Sequence, residues 1–258
     1  MVDDEDPGDF ALNLLTDYHE HTVEYEGPTE GEVVRQTVLG WSQGGCNVVW
    51  SEVLPRVVAR NGKYFKGKRV LELGAGCGLI GLVAGQYADT VLITDGDPQE
   101  VALIQSNCAE RTSAASSSAR VLSAAQLEWG IAAAEAAAKS GRLAARGSYD
   151  TILASQVVYV PANIPLLVET IDFCLAPDGE MFLYNDAVST MSTQEACRAI
   201  LERTLQERGL LAGPLLQAEG PLLAPSGIQA QLEEKPWAYL LRITRRAGDM
   251  CSVSNEET

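Results

Sequence analysis

From residue 48 onward, short apolar runs rich in β-branched residues alternate with stretches whose apolar positions recur at helical spacing. Residues 51–60 read as a helix with Pro55 in its first turns. Val70–Leu73 reads as a buried strand, Leu79–Gln86 as a helix and Thr90–Thr94 as a second strand. Asp97-Pro98-Gln99-Glu100 opens a helix over 98–110, with Asp as cap, Pro in the first position and Glu in the third. Thr112–Ala119 is low in complexity and is expected to be a mobile loop. Arg120–Leu127 follows as a strand, Ile131–Ala145 as an alanine-rich helix, Asp150–Val158 as a strand and Ile164–Cys174 as a helix. Pro177-Asp178-Gly179 marks a turn before a strand at Met181–Tyr184, and residues 192–208 form the next helix. Trp237–Thr244 is the last strand, with 215–223 as its expected partner. Such alternation predicts a doubly wound α/β fold with helices on both faces of a mostly parallel sheet. With no helix between the last two strands, an antiparallel hairpin is expected at the C-terminal edge.

The chain has 258 residues, 46% of them apolar, enough for one large α/β domain. The net charge of −16 changes the picture once it is located. Eleven of the 35 acids fall in residues 1–32 and three in 249–258, and neither segment holds Lys or Arg. The expected organisation is therefore an acidic N-terminal arm (1–32), a nearly neutral domain (33–248) and an acidic C-terminal tail (249–258). Nucleic acid is a poor partner for such a chain, whereas a basic protein substrate fits an acidic arm. The plainer reading of the arm is a solvated tail. Residues 1–6 are acidic rather than basic then apolar, and no run of eighteen apolar residues occurs. These features lead us to expect no membrane segment and a soluble cytoplasmic protein, with a nuclear location compatible; nothing suggests an obligate partner, so a monomer is expected. Cysteines 46, 77, 108, 174, 197 and 251 form no Cys-x-x-Cys pair and are expected to be buried thiols. The two histidines, His19 and His21, have no partner cysteine nearby, so no metal site is expected.

In a doubly wound sheet, ligands lie at the carboxyl ends of the strands. The first strand ends in Glu72 and the turn Gly74-Ala75-Gly76-Cys77-Gly78, where alternate glycines remove the Cβ atoms that hold a ligand off the backbone. Glu72 suits a ligand bearing an amino group or a sulfonium better than a phosphate. Asp95, 23 residues further on, is placed to accept both hydroxyls of a ribose. Asp97 is better explained as the helix cap. Trp129 ends the third strand, where it either flanks an adenine or packs in the core. The span Gly76–Gly81 also satisfies a dinucleotide-type Gly-x-Gly-x-x-Gly. However, Gly74-Ala75 intervene after the strand, and the main domain has no histidine for hydride chemistry.

Taken together, Val70–Gly78, Gly45-Cys46-Asn47-Val48-Val49-Trp50, Leu127-Glu128-Trp129 and Ile152–Tyr159 resemble methyltransferase family 16, a group of seven-stranded Rossmann-like S-adenosylmethionine-dependent methyltransferases, many of which modify protein lysines. The resemblance covers roughly residues 40–185. It implies S-adenosylmethionine as cofactor, with Gly74, Ala75, Gly76 and Gly78 on its methionine part and Glu72 facing its amino group directly or through water. It further implies Asp95 on the ribose, Gly96 and Trp129 near the adenine, Trp50 closing the methionine end and Ser155 within the cofactor set. Gln156 and Tyr159 would line the acceptor channel. The family places Asp where this chain has Gln156, and an amide cannot balance an ammonium or accept its proton. Methylation of a protein side chain, most simply lysine, is the leading expectation. Methylation of a small molecule and a cofactor-binding scaffold with weak catalysis remain the alternatives.

Overall fold

The structure, a computed structural model, describes residues 18–41, 52–114, 121–186, 191–216, 222–235 and 237–246. Nine strands are present among these residues. The first two, β1 (Tyr18–Glu26) and β2 (Val33–Trp41), form a separate antiparallel hairpin. The other seven make one sheet: β3 (Arg69–Leu73), β4 (Thr90–Asp95), β5 (Val121–Gln126), β6 (Tyr149–Ser155), β7 (Leu175–Asn185), β8 (Leu210–Pro214) and β9 (Tyr239–Arg245). Their order is β5-β4-β3-β6-β7-β9-β8. Strands β5 to β7 run parallel, while β9 lies antiparallel to β7 and β8 antiparallel to β9. The order reverses at β3, so the crevice at the carboxyl ends of β3, β4 and β6 is the position where such a sheet takes a ligand.

Period-two alternation sorts the sheet residues onto two cores. Val70, Ile93, Leu153, Phe182 and Tyr184 face one core, shared with α1 (Val53–Arg60), α2 (Leu79–Ala84), α3 (Pro98–Ala114) and the hairpin. Leu71, Leu73, Ile152, Ala154, Met181 and Leu183 face the other, shared with α4 (Ile131–Lys139), α5 (Ile164–Cys174) and α6 (Met191–Glu207). A last short helix, α7 (Ile228–Glu234), lies between β8 and β9 and buries Ile228 in the first core.

Four expectations need correction. The partner of the last strand is Leu210–Pro214, not 215–223, because the strand begins directly after Gly209, whose φ of 67° ends the helical stretch. Pro177-Asp178-Gly179 is not a free turn. It lies inside β7, where the pairing with β6 shifts from Tyr149–Leu175 to Thr151–Glu180, so the segment forms a bulge. The alanine-rich helix stops at Lys139, and Gly141 follows with φ 76°. Helix α3 continues through Ala114 rather than yielding to a loop at 112, and residues 115–120 lie outside the described residues.

The hairpin was not foreseen, and the boundary drawn at residue 32 falls beside its turn. Tyr25, Val34 and Val38 point into the first core, while Glu20, Glu24 and Thr37 stay exposed. Buried Asn107 of α3 secures the hairpin to the sheet: its Oδ1 accepts the Leu39 N–H at 2.7 Å, and its Nδ2 donates to the carbonyls of Leu39 (3.1 Å) and Cys77 (2.9 Å). No helix among the described residues is long and apolar enough to cross a membrane.

Candidate active site

The glycine turn begins where β3 ends. Gly74, Gly76 and Gly78 all have positive φ (63°, 55° and 81°), a region that costs other residues about 1–2 kcal/mol. A Cβ on Gly74 would sit 2.7 Å from Val157 Cγ1 and 3.1 Å from the Trp129 ring, so this position accepts no side chain. Gly74, Ala75 and Gly76 remain partly open to solvent, whereas Cys77 and Gly78 are buried. Ala75 donates its N–H to the Thr94 carbonyl at 3.0 Å, which ties the turn to the end of β4.

Asp95 ends β4 and orders two loops at once. Its Oδ2 accepts the Gly76 N–H at 2.9 Å and its Oδ1 the Asp97 N–H at 3.0 Å. Asp97 in turn accepts the Gln99 N–H at 2.8 Å, the cap expected at the start of α3. Gly96 is exposed, and Trp129 is not among the atoms within 4 Å of a Cβ built on it. The Trp129 ring therefore stands over Gly74, at the glycine turn rather than against Gly96.

Glu72 is placed differently from its expected role. Strand alternation puts it on the same face as Val70, under α2, where it is 1% exposed. Its Oε2 accepts the Gly81 N–H at 2.7 Å, and Ile80 adds a second backbone donor. A Cβ on Gly81 would lie 2.5 Å from that oxygen, so the glycine is what allows the approach. Burial pushes the Glu72 carboxyl up to about 8, offset in part by these amides and reinforced by the neighbouring Asp95 charge. Near neutral pH this side chain is largely an uncharged acid that supports the turn from inside the core.

At the end of β6, Ser155 Oγ is buried without a hydrogen-bond partner among the described residues. At the strand end next to the glycine turn, this hydroxyl has donor and acceptor capacity that no described residue uses. Gln156 follows with φ 60°, alone among the described non-glycine residues in having a positive φ. Its backbone N–H donates to the Tyr184 carbonyl at 2.9 Å. Its side-chain Oε1 accepts the Asp186 N–H at 3.0 Å, and its Nε2 donates to Asp186 Oδ1. Asn185 pins the next segment by accepting the Val158 N–H at 3.0 Å. Tyr159 then emerges 56% exposed, followed by exposed Val160, so it is a surface ring and not a core residue.

The structure thus brings Gly74, Ala75, Gly76, Gly78, Asp95, Gly96, Trp129, Ser155, Gln156 and Tyr159 to one end of the sheet. Trp50 lies outside the described residues. Sequence reading missed Val157, which closes over Gly74, and the Gln156–Asp186 pair; each depends on a contact between separate strand ends. No group of three metal-ligating side chains is found among the described residues. Free Cys77, Cys108, Cys174 and Cys197 are buried, as expected, and burial pushes the Cys77 thiol up to about 12. Cys46 and Cys251 lie outside the described residues.

A family model described as lysine methyltransferase matches residues 19–195. The zebrafish (Danio rerio) protein N-lysine methyltransferase METTL21A is 33% identical over 142 residues, 54% of this chain and 60% of that protein. The mouse (Mus musculus) EEF1A lysine methyltransferase 3 is 31% identical over 143 residues, 55% of this chain and 54% of that protein. The chain therefore spans between half and two thirds of the length of these relatives. Among solved structures, a SAM-dependent methyltransferase from Aquifex aeolicus superposes with a TM-score of 0.49 at 11% identity, over 73% of this chain and 87% of that one.

Proposed function

Because the chain belongs to the lysine methyltransferase family, matched over residues 19–195, we propose that it transfers a methyl group from S-adenosylmethionine to a lysine nitrogen of a protein substrate. The observation that carries this reading is the partly open turn Gly74–Gly76 with Asp95 on one side and the buried, orphaned Ser155 hydroxyl on the other, at three adjacent strand ends. These residues fit a sulfonium nucleoside: bare backbone for close approach, a carboxylate at the end of the strand on one side of the turn, and an unmatched hydroxyl at the end of the strand on the other.

When bound, the cofactor would supply an activated methyl on a positively charged sulfur, for transfer to a neutral lysine nitrogen whose proton would go to solvent. The protein's own part is binding, orientation and desolvation. Asp95 holds the glycine turn through Gly76 and keeps lone pairs free for two hydroxyls. Trp129 and Val157 wall the turn from the second core. Gln156 and Tyr159 form the acceptor side, with the Tyr159 ring offering apolar surface to a lysine stem. A basic acceptor protein suits the exposed acids of the hairpin.

Incubating the protein with methyl-tritiated S-adenosylmethionine and a lysate tests this reading. Label is expected in methyl-lysine after acid hydrolysis of the protein fraction. Label confined to small molecules, or none despite tight cofactor binding, would overturn it. Asp95→Ala should weaken S-adenosylhomocysteine binding by more than about 1.5 kcal/mol, over tenfold, in titration calorimetry. Unchanged affinity would reject its assigned role.

A further inference from the structure

Beyond the cofactor ring, the carboxyl end of β7 carries an acidic side chain that the reading above does not use. Asp186 follows the last residue of β7, next to the end of β6, and its side chain is 10% exposed. The two polar groups of Gln156 grip it: Oε1 takes its backbone N–H and Nε2 donates to its Oδ1. The other oxygen, Oδ2, holds the ammonium of Lys235, which follows α7. A part-buried carboxylate oriented by an amide, with one oxygen committed to that amide and the other to a lysine ammonium, is a formed lysine receptor. It stands one strand from the Ser155 end of the cofactor ring, with the exposed Tyr159 ring rising from the segment that Asn185 pins.

Resting on the lysine-transfer reading, we propose that Asp186 is the carboxylate that binds the acceptor lysine, that Gln156 is its positioning residue, and that Lys235 occupies the site in the free protein and is displaced by the substrate. The amide at 156 then has a use of its own: it cannot balance an ammonium, but it fixes the neighbouring carboxylate that can. The strain of a positive φ at a non-glycine residue is what turns the chain so that this amide meets Asp186. Lys235 is 41% exposed at its side chain, so it can leave without opening the core.

The test uses the full-length protein and, as acceptor, a lysate titrated in total protein concentration with the label counted as methyl-lysine. Lys235→Ala should lower the half-saturating lysate concentration about threefold or more, because the acceptor no longer competes with an internal ammonium. Asp186→Asn should raise it at least tenfold and leave S-adenosylhomocysteine affinity unchanged. In the double variant the gain from Lys235→Ala should vanish, since contacting residues couple; the mark of a receptor is that the two single changes move the half-saturating concentration in opposite directions, whereas loss of a merely structural ion pair would raise it in both. Gln156→Ala should raise the half-saturating concentration with little change in the saturating rate. A labelling wild type whose half-saturation is unmoved by Asp186→Asn, or additive effects in the double variant, would overturn the inference alone. A wild type that labels no protein lysine would overturn the reading beneath it, and the inference with it. An Asp186→Asn protein that fails to bind S-adenosylhomocysteine would assign the residue a structural role instead.

Discussion

Replacing Glu72 with Gln should flatten the pH dependence of stability between about pH 5 and 8. The folded carboxyl is pushed up to about 8 against 4.5 for the free group, chiefly because the side chain is fully buried. The folded state therefore holds a proton that the unfolded chain releases. The favourable contribution is fully present below about 4.5 and is lost as pH rises through about 8; above that both states are ionised and the loss is complete. At a little over 1.3 kcal/mol per pKa unit, the total loss is on the order of 3–5 kcal/mol. Urea unfolding at steps from pH 4.5 to 9 measures it. Wild-type stability should fall relative to Glu72→Gln across that window, whatever constant offset separates the two proteins, since other titrating groups are shared. Parallel curves would mean that the carboxyl is not held in the low-dielectric core.

Gly74→Ala is expected to remove the site. The alanine would have to adopt φ 63°, costing about 1–2 kcal/mol, and its Cβ would press on Val157 Cγ1 at 2.7 Å and Trp129 at 3.1 Å. Crowding of that kind adds about 1–3 kcal/mol, so a loss of about 2–5 kcal/mol of stability is expected. Relief by moving Trp129 or Val157 would distort the wall of the turn, and S-adenosylhomocysteine affinity should drop more than tenfold. Gly67→Ala separates the two causes. Its φ is 80°, yet no atom lies within 4 Å of its Cβ position, so it should lose only the backbone part and keep ligand affinity. Equal losses in the two variants, with affinity intact, would show that the space over Gly74 is not needed.

What the sequence made legible follows from what is local. Strands such as Val70–Leu73 and Thr90–Thr94 announce themselves as β-branched apolar runs, and the glycine turn is contiguous, so both could be placed in advance. The Asp97-Pro98 helix start was readable for the same reason. The hairpin was hidden by its charge. Val34, Gln36 and Val38 alternate with Val33, Arg35 and Thr37 as a half-buried strand should, but β1 lies in a stretch whose acids invite reading as a tail. Residue 72 shows a subtler failure. Its position beside the turn suggested a ligand contact, whereas strand parity directs it to the opposite face from Leu73, under α2. The Gln156–Asp186–Lys235 chain joins three segments distant in sequence, and no spacing rule brings them together before the sheet order is known. The bulge at Pro177–Gly179 likewise depends on the β6 partner, not on its own residues.

The most direct measurement is a crystal structure of the protein with S-adenosylhomocysteine. The ribose hydroxyls should lie on Asp95, the amino-acid end against Gly74–Gly76, and a polar ligand atom within hydrogen-bond distance of the Ser155 hydroxyl. A nucleoside bound elsewhere, or a glycine turn closed onto Asp95 with no ligand despite saturation, would contradict the account.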